Sequence, residues 1–379
     1  MSRFETEVLH GVKKSKMPIK SKVTPIYQTT AFTFSDLDEL EGYYQGQGNY
    51  LYSRVGNPNT DELAEAVAAL EGAPAGVATS SGLSAILAGV LAVVKSGDHI
   101  VAAEDLYGGS FQLLQGELNQ FGIEVTFVSF TDLAQVEKEI KSNTKLLYTE
   151  SITNPLLRVQ DIEEFVRIAK KHKLTTLVDN TFATPYHCQP YGKGVDLVVH
   201  SATKYIGGHS DVTAGVLVGE KDLLAKATAK VVNLGTNVSP IEAWLTTRGL
   251  KTLAIRMEKQ SKNARELALA LQNNKLVEKV YYPFEHGESG YGAIVTIKLA
   301  NTVNVNEFFK NLSWIKIAPT LAGVETSVSH PVITSHRALP AEARDALGIT
   351  FEVVRISVGI EHAEDIVGIF EQAMTKAAK

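Results

Sequence analysis

The reading of this chain turns on residues 197–211, Leu197-Val198-Val199-His200-Ser201-Ala202-Thr203-Lys204-Tyr205-Ile206-Gly207-Gly208-His209-Ser210-Asp211. An apolar, β-branched run that begins near Val195 stops in small hydroxyl residues. One lysine follows, and two glycines then free the backbone to turn sharply behind it. Such a lysine has two readings. As a turn residue it is one more solvated surface lysine. At the end of a buried strand it is a desolvated amine able to condense with a carbonyl, with Ser201 and Thr203 offering hydroxyls to an anion.

Composition narrows the field. With 379 residues the chain exceeds one typical domain, so a large and a smaller domain are expected. Hydrophobic residues make up 44% and charged residues 21%, ordinary for a soluble protein with a substantial core. A net charge of -5 leaves no electrostatic footprint for nucleic acid or an anionic membrane. The single cysteine, Cys188, excludes an internal disulfide framework, and no Cys/His spacing of the zinc type is present, so no metal is expected. The first residues lack the apolar core of a secretory signal and no apolar run is long enough to span a bilayer; a cytoplasmic protein is the expectation.

Working outward, residues 1–58 show little helical period and read as an extended arm able to wrap a neighbouring subunit, carrying Tyr52-Ser53-Arg54 near its end. Arginine matches a phosphate bidentately, although a loop arginine is more often simply solvated. A helix follows from Thr60, capped by Asn59 or Thr60 and ended by Gly72. Residues 76–79 then read as a strand, Ser80-Ser81-Gly82 as a turn and 83–94 as a buried helix, an arrangement whose free N–H groups and helix dipole favour an anion. Further strands are expected over 99–103, 124–129, 145–149 and 174–178, with a capping-box helix from Asp161. Repeated strand–helix alternation predicts an α/β fold with a mostly parallel sheet. Helices dominate after residue 237, and strands near 277–282, 291–299, 315–318 and 353–358 with a last helix over 363–377 predict a smaller α+β domain. The expected division is an arm (1–58), a large domain (59–248) and a small C-terminal domain (249–379).

The residues just past each strand carry chemistry: Tyr107, then Glu150 and Asn154, then Asp179 and Asn180, then His200, Ser201 and Lys204. Open α/β sheets bind ligands beyond the carboxyl ends of their strands, so these side chains are expected to converge.

Four segments together resemble the Cys/Met-metabolism family of pyridoxal-phosphate enzymes, which includes cystathionine γ-lyase, cystathionine γ-synthase and methionine γ-lyase. They are residues 201–211, Val178-Asp179-Asn180-Thr181-Phe182-Ala183-Thr184-Pro185-Tyr186, Tyr52-Ser53-Arg54 with Asn57-Pro58, and Val354-Arg355-Ile356-Ser357-Val358-Gly359-Ile360-Glu361. The resemblance runs from about residue 25 to 361. It implies the type I fold of pyridoxal-phosphate-dependent transferases, with a seven-stranded sheet, and pyridoxal 5'-phosphate as cofactor. Lys204 would carry the cofactor, Asp179 would pair with its ring nitrogen and Tyr107 would stack on the ring. Gly82, Leu83, Ser201 and Thr203 would hold the phosphate, joined by Tyr52 and Arg54 from a neighbouring subunit in a homotetramer built as a dimer of active dimers. Arg355 would clamp the substrate carboxylate, with Asn154, Glu325 and Thr326 nearby, and Lys204 and Tyr107 are the candidates for proton transfer.

Departures from the family pattern bear on the substrate. Leu51 stands before Tyr-Ser-Arg where an acid is common, Gly109 stands where some relatives have a cysteine, Glu325 is followed by Thr326, and the segment 284–290 is short. His336 and Arg337 are expected to add cationic contacts near the mouth. The implied partner is a sulfur-containing or homoserine-derived amino acid. The apolar Leu51 favours γ-elimination from cystathionine, homocysteine or methionine; γ-replacement on a homoserine ester and cofactor binding without turnover are the alternatives.

Overall fold

In the computed structural model, residues 3–12, 21–48, 50–287, 290–337 and 339–378 are described. The strands β1 (Ala75–Thr79), β2 (His99–Ala103), β3 (Glu124–Val128), β4 (Thr144–Glu150), β5 (Thr175–Asp179), β6 (Leu197–His200) and β7 (Gly215–Gly219) form one sheet in the order β1-β7-β6-β5-β4-β2-β3. Its pairings are parallel except those of β7, which runs against both neighbours. Every residue of β2, β6 and β7 is buried, as expected of strands covered by helices on both faces. The expected α/β architecture is therefore present.

Local chemistry sets the element ends. The first long helix is Pro58–Glu71; Asn57 caps it by accepting from the N–H of Asn59, two residues before the nearer of the expected caps, and Gly72 ends it at φ +73°. The helix Gly82–Val93 starts on Ser81, whose side chain accepts from the N–H of Ser84. Ile162–His172 starts on Asp161, accepting from Glu164 N–H, as its capping box predicts.

A second sheet contains β8 (Val277–Tyr281), β9 (Ile294–Leu299), β10 (Lys316–Ile317), β11 (Ser327–Ser329) and β12 (Val353–Ser357), in the order β10-β11-β12-β9-β8, antiparallel except between β10 and β11. The buried residues fall into two apolar clusters, one per sheet. The helix Leu253–Gln272 belongs to both: Leu253 and Met257 pack in the first, Leu267 and Leu271 in the second.

Two expectations are corrected. The arm is not merely extended, since it contains the helices Phe4–His10 and Leu37–Tyr44. The strand β7 and the helix Lys221–Leu234 after it were not foreseen; β7 offers three apolar residues between two glycines, a short signal. Of the short segment 284–290, Glu288 and Ser289 lie outside the described residues.

Candidate active site

Strand register brings the polar residues together. Glu150 closes β4 opposite Asp179, the last residue of β5, and Asp179 lies opposite Val199, one residue before the end of β6. Beyond that edge opens a cavity of about 470 Å³ whose lining includes Gly82, Leu83, Tyr107, Glu150, Asn154, Asp179, Ser201, Thr203, Lys204, Thr320 and Arg355. Residues from both sheets thus meet there, as the rule for strand ends in α/β sheets requires.

Lys204 is held by a braced turn. The N–H of Ser201 donates to Thr181 Oγ1 at 2.8 Å, and Thr203 Oγ1 accepts the N–H of Ala214 at 3.0 Å. Arg256, itself buried, donates to the carbonyls of Tyr205 at 2.7 Å and Gly249 at 2.9 Å, and a Cβ on Gly208 would collide with its guanidinium. Lys204 Nζ donates to Thr320 Oγ1 at 3.1 Å. Burial, followed by the positive charge of Arg355, pulls the ammonium down to about 8.

The two carboxylates beside it differ in their partners. Asp179 Oδ1 accepts the N–H of Thr181 at 2.9 Å; burial raises this group, while the Thr181 bonds and the nearby His200 oppose the rise. Glu150 Oε1 accepts the N–H of Tyr107 at 2.8 Å, and burial, then the charge of Asp179, push it well above the carboxylate range.

On the facing sheet, Arg355 of β12 is 3% exposed. Its Nη1 donates to Asn154 Oδ1 at 3.0 Å, its Nη2 reaches the carbonyl of Thr320 at 3.5 Å, and its Nε is buried without a partner. Burial lowers it to about 10, so it remains a cation at neutral pH.

At the other wall the helix Gly82–Val93 presents its first turn beside Ser201. A Cβ on Gly82 would lie 2.6 Å from Ser201 Cβ, so this approach requires glycine.

Not every expected residue lies in this cavity. Tyr52 and Arg54 sit apart on the arm, with the Arg54 guanidinium 5.5 Å from the Tyr52 ring and 3.3 Å from the carbonyl of Val232. Glu325 is paired with Lys316, and Thr326 is buried, donating from its hydroxyl to Glu361 Oε2 at 2.8 Å. His336 brings no cation: burial lowers it to about 4, and its Nε2 donates to the carbonyl of Asn154 at 2.9 Å. Thr320, Thr181 and Ser335 line the cleft without having been singled out in the sequence, where nothing distinguishes them from loop hydroxyls.

Residues 5–375 match the family described as Cys/Met metabolism PLP-dependent enzyme. The chain is 40% identical over 387 residues to the cystathionine beta-lyase of Lactococcus lactis subsp. cremoris (strain MG1363), covering 99% of this chain and 100% of that protein. It is 39% identical over 381 residues to the cystathionine gamma-lyase of Bacillus subtilis (strain 168), covering 98% of each. The crystal structure of cystathionine gamma-lyase from Lactobacillus plantarum complexed with L-serine is similar with a TM-score of 0.92 at 35% identity, covering 100% of both chains. By fold, by the residues gathered at one sheet edge and by similarity over nearly its whole length, the chain belongs to the pyridoxal-phosphate-dependent enzymes of cysteine and methionine metabolism.

Proposed function

We propose that the protein is a carbon–sulfur lyase that eliminates at Cγ of a sulfur amino acid such as cystathionine, homocysteine or methionine, releasing a 2-oxo acid, ammonia and a thiol or amino acid. The observation that carries this reading is Lys204, a half-buried amine lowered to about 8 that shares one cavity with the carboxylate of Asp179 and the guanidinium of Arg355.

The residues fit pyridoxal phosphate by their chemistry. An amine, a half-buried carboxylate and a helix start at Gly82 stand around one cavity, and the Cβ that Gly82 lacks would close the approach beside Ser201. In this reading Lys204 would hold the aldehyde carbon, Asp179 would pair with the ring nitrogen, Tyr107 would cover the ring, and Ser201, Thr203 and the N–H groups of Gly82 and Leu83 would hold the phosphate. Tyr52 and Arg54 would reach the phosphate of a neighbouring subunit in the homotetramer that the family resemblance implies, a role consistent with their place outside this chain's own cleft. Bound there, pyridoxal phosphate supplies an electron sink for the pair left when Cα loses its proton.

The protein's own residues do the rest. Arg355 orients the substrate by its α-carboxylate, and Asn154 fixes the guanidinium in place. Set free when the substrate's amine takes its place, Lys204 Nζ takes the Cα proton and then one from Cβ, and returns a proton to Cγ once the sulfur has left, since a base near 8 is partly neutral at physiological pH. Thr320 Oγ1 holds that amine at the cleft. Tyr107 is the second candidate, delivering a proton to the departing sulfur.

The Lactococcus relative's name supports a second reading, elimination at Cβ. Incubation with cystathionine separates the two: 2-oxobutyrate with cysteine is the outcome expected here, whereas pyruvate with homocysteine assigns Cβ cleavage. Homocysteine, methionine and O-acetylhomoserine with a thiol complete the panel, and thioether formation from the ester without 2-oxo acid would make the protein a γ-replacement transferase.

A further inference from the structure

Glu150 has no part in the chemistry above, yet it sits within it. It closes β4 in register with Asp179 and lines the same cavity. Its Oε1 is committed to the N–H of Tyr107, the residue that begins the turn carrying the stacking ring. Two carboxylates on adjacent strand ends, Glu150 buried and Asp179 half-buried, strongly disfavour a second negative charge when no cation stands between them. Asp179 is given its charge by the role proposed for it, opposite a ring N–H.

We infer that Glu150 is held as a neutral carboxylic acid and serves as a positioning residue: it takes the one proton the pair retains, leaves Asp179 as the anion, and anchors the Tyr107 loop through its carbonyl oxygen. The groups around it agree. On its own strand Tyr148 is buried and raised by burial, adding no cation. From the loop after β2, Asp105 is held by Arg158, with Arg158 Nη2 2.8 Å from Asp105 Oδ1, so that these opposed charges largely offset each other at Glu150. His200, on the next strand, acts on Asp179 and favours its anion. The cleft's cations, Lys204 and Arg355, are engaged with Thr320 and with Asn154. The allocation is thus asymmetric: Glu150 feels the charge of Asp179 as its largest effect after burial, while Asp179 has Thr181 and His200 to support its ionised form.

A neutral acid that only accepts an N–H bond is imitated by glutamine, whose carbonyl accepts equally well and whose amide supplies the donor in place of the acid O–H. An alanine leaves the part-buried N–H of Tyr107 without its acceptor. The role rests on the reading of Asp179 as the ring-nitrogen partner, and the test separates the two because its first arm needs no cofactor. Infrared spectra of the apoprotein and the holoenzyme at neutral pH should show a protonated-carboxyl carbonyl band that disappears in Glu150→Gln. The same variant should bind pyridoxal phosphate within about twofold of the wild type, while Glu150→Ala weakens it about tenfold, the loss expected for one orphaned donor at the cleft wall. In Asp179→Asn the band should weaken at neutral pH, since the charge that keeps Glu150 protonated is gone. Absence of the band, its persistence in Glu150→Gln, cofactor binding in Glu150→Gln as weak as in Glu150→Ala, or unchanged binding in Glu150→Ala would each overturn the assignment.

Discussion

The chemistry rests on a lysine that burial has made a weaker acid-binding group than its surface counterparts. Because Lys204 is lowered to about 8 by burial and by Arg355, the apoprotein should acylate at Lys204 with a rate that reaches half its maximum near pH 8, followed by peptide mapping of the modified residue. In Arg355→Met one of the two causes is removed, so that midpoint should move upward; an unmoved midpoint would show that Arg355 does not act on the amine. The sign extends to stability. The folded apoprotein gives up a proton that the unfolded chain keeps, so its stability should rise with pH from about 8 toward the ordinary lysine range. Lys204, Asp179 and Arg355 were legible in the sequence because each stands in a distinctive run of neighbours. Glu150 was visible only as an acid past a strand, and Thr320, which holds the amine, as one threonine in a loop: their meaning lies in what faces them across the cleft.

Among the elements, the helix Gly82–Val93 shows how backbone approach builds a site. Gly82→Ala places a methyl 2.6 Å from Ser201 Cβ, between two rigid backbone segments that cannot yield cheaply. It should weaken cofactor binding and cost about 1–3 kcal/mol of stability by chemical denaturation. Gly116, whose added Cβ meets nothing within 4 Å, is the control: Gly116→Ala should be neutral or gain about 0.5–1 kcal/mol. Equal effects at both positions would contradict the crowding argument. Strands with β-branched runs and helices with clear caps were readable in sequence, and their ends fell within a residue or two, except that β9 begins at Ile294, three residues later than expected. The arm helices were not, since seven and eight residues span barely two turns and bury one residue each among those described. The strand β7 escaped for a different reason, since three apolar residues between two glycines make a short signal.

Across the whole molecule, the cleft exists because two separately cored sheets face one another, joined by the helix Leu253–Gln272 that packs into both cores. Lys204, Asp179 and Glu150 belong to the first sheet and its turns, Arg355 to the second, and Thr320 to a loop leading into β11. A sequence ranks these pieces in order and indicates which strand ends are polar, but it does not show which loop of one sheet meets which strand end of the other; that is why Glu325 and Thr326 were expected at the substrate and lie against Lys316 and Glu361 instead. The site is nonetheless organised around one amine, and that is open to direct measurement. Reduction of the holoenzyme with borohydride, followed by digestion and mass analysis of the peptides, should find the pyridoxyl group on Lys204, one per chain. Its appearance on another lysine, or a wild-type protein that retains no reducible cofactor, would contradict the account.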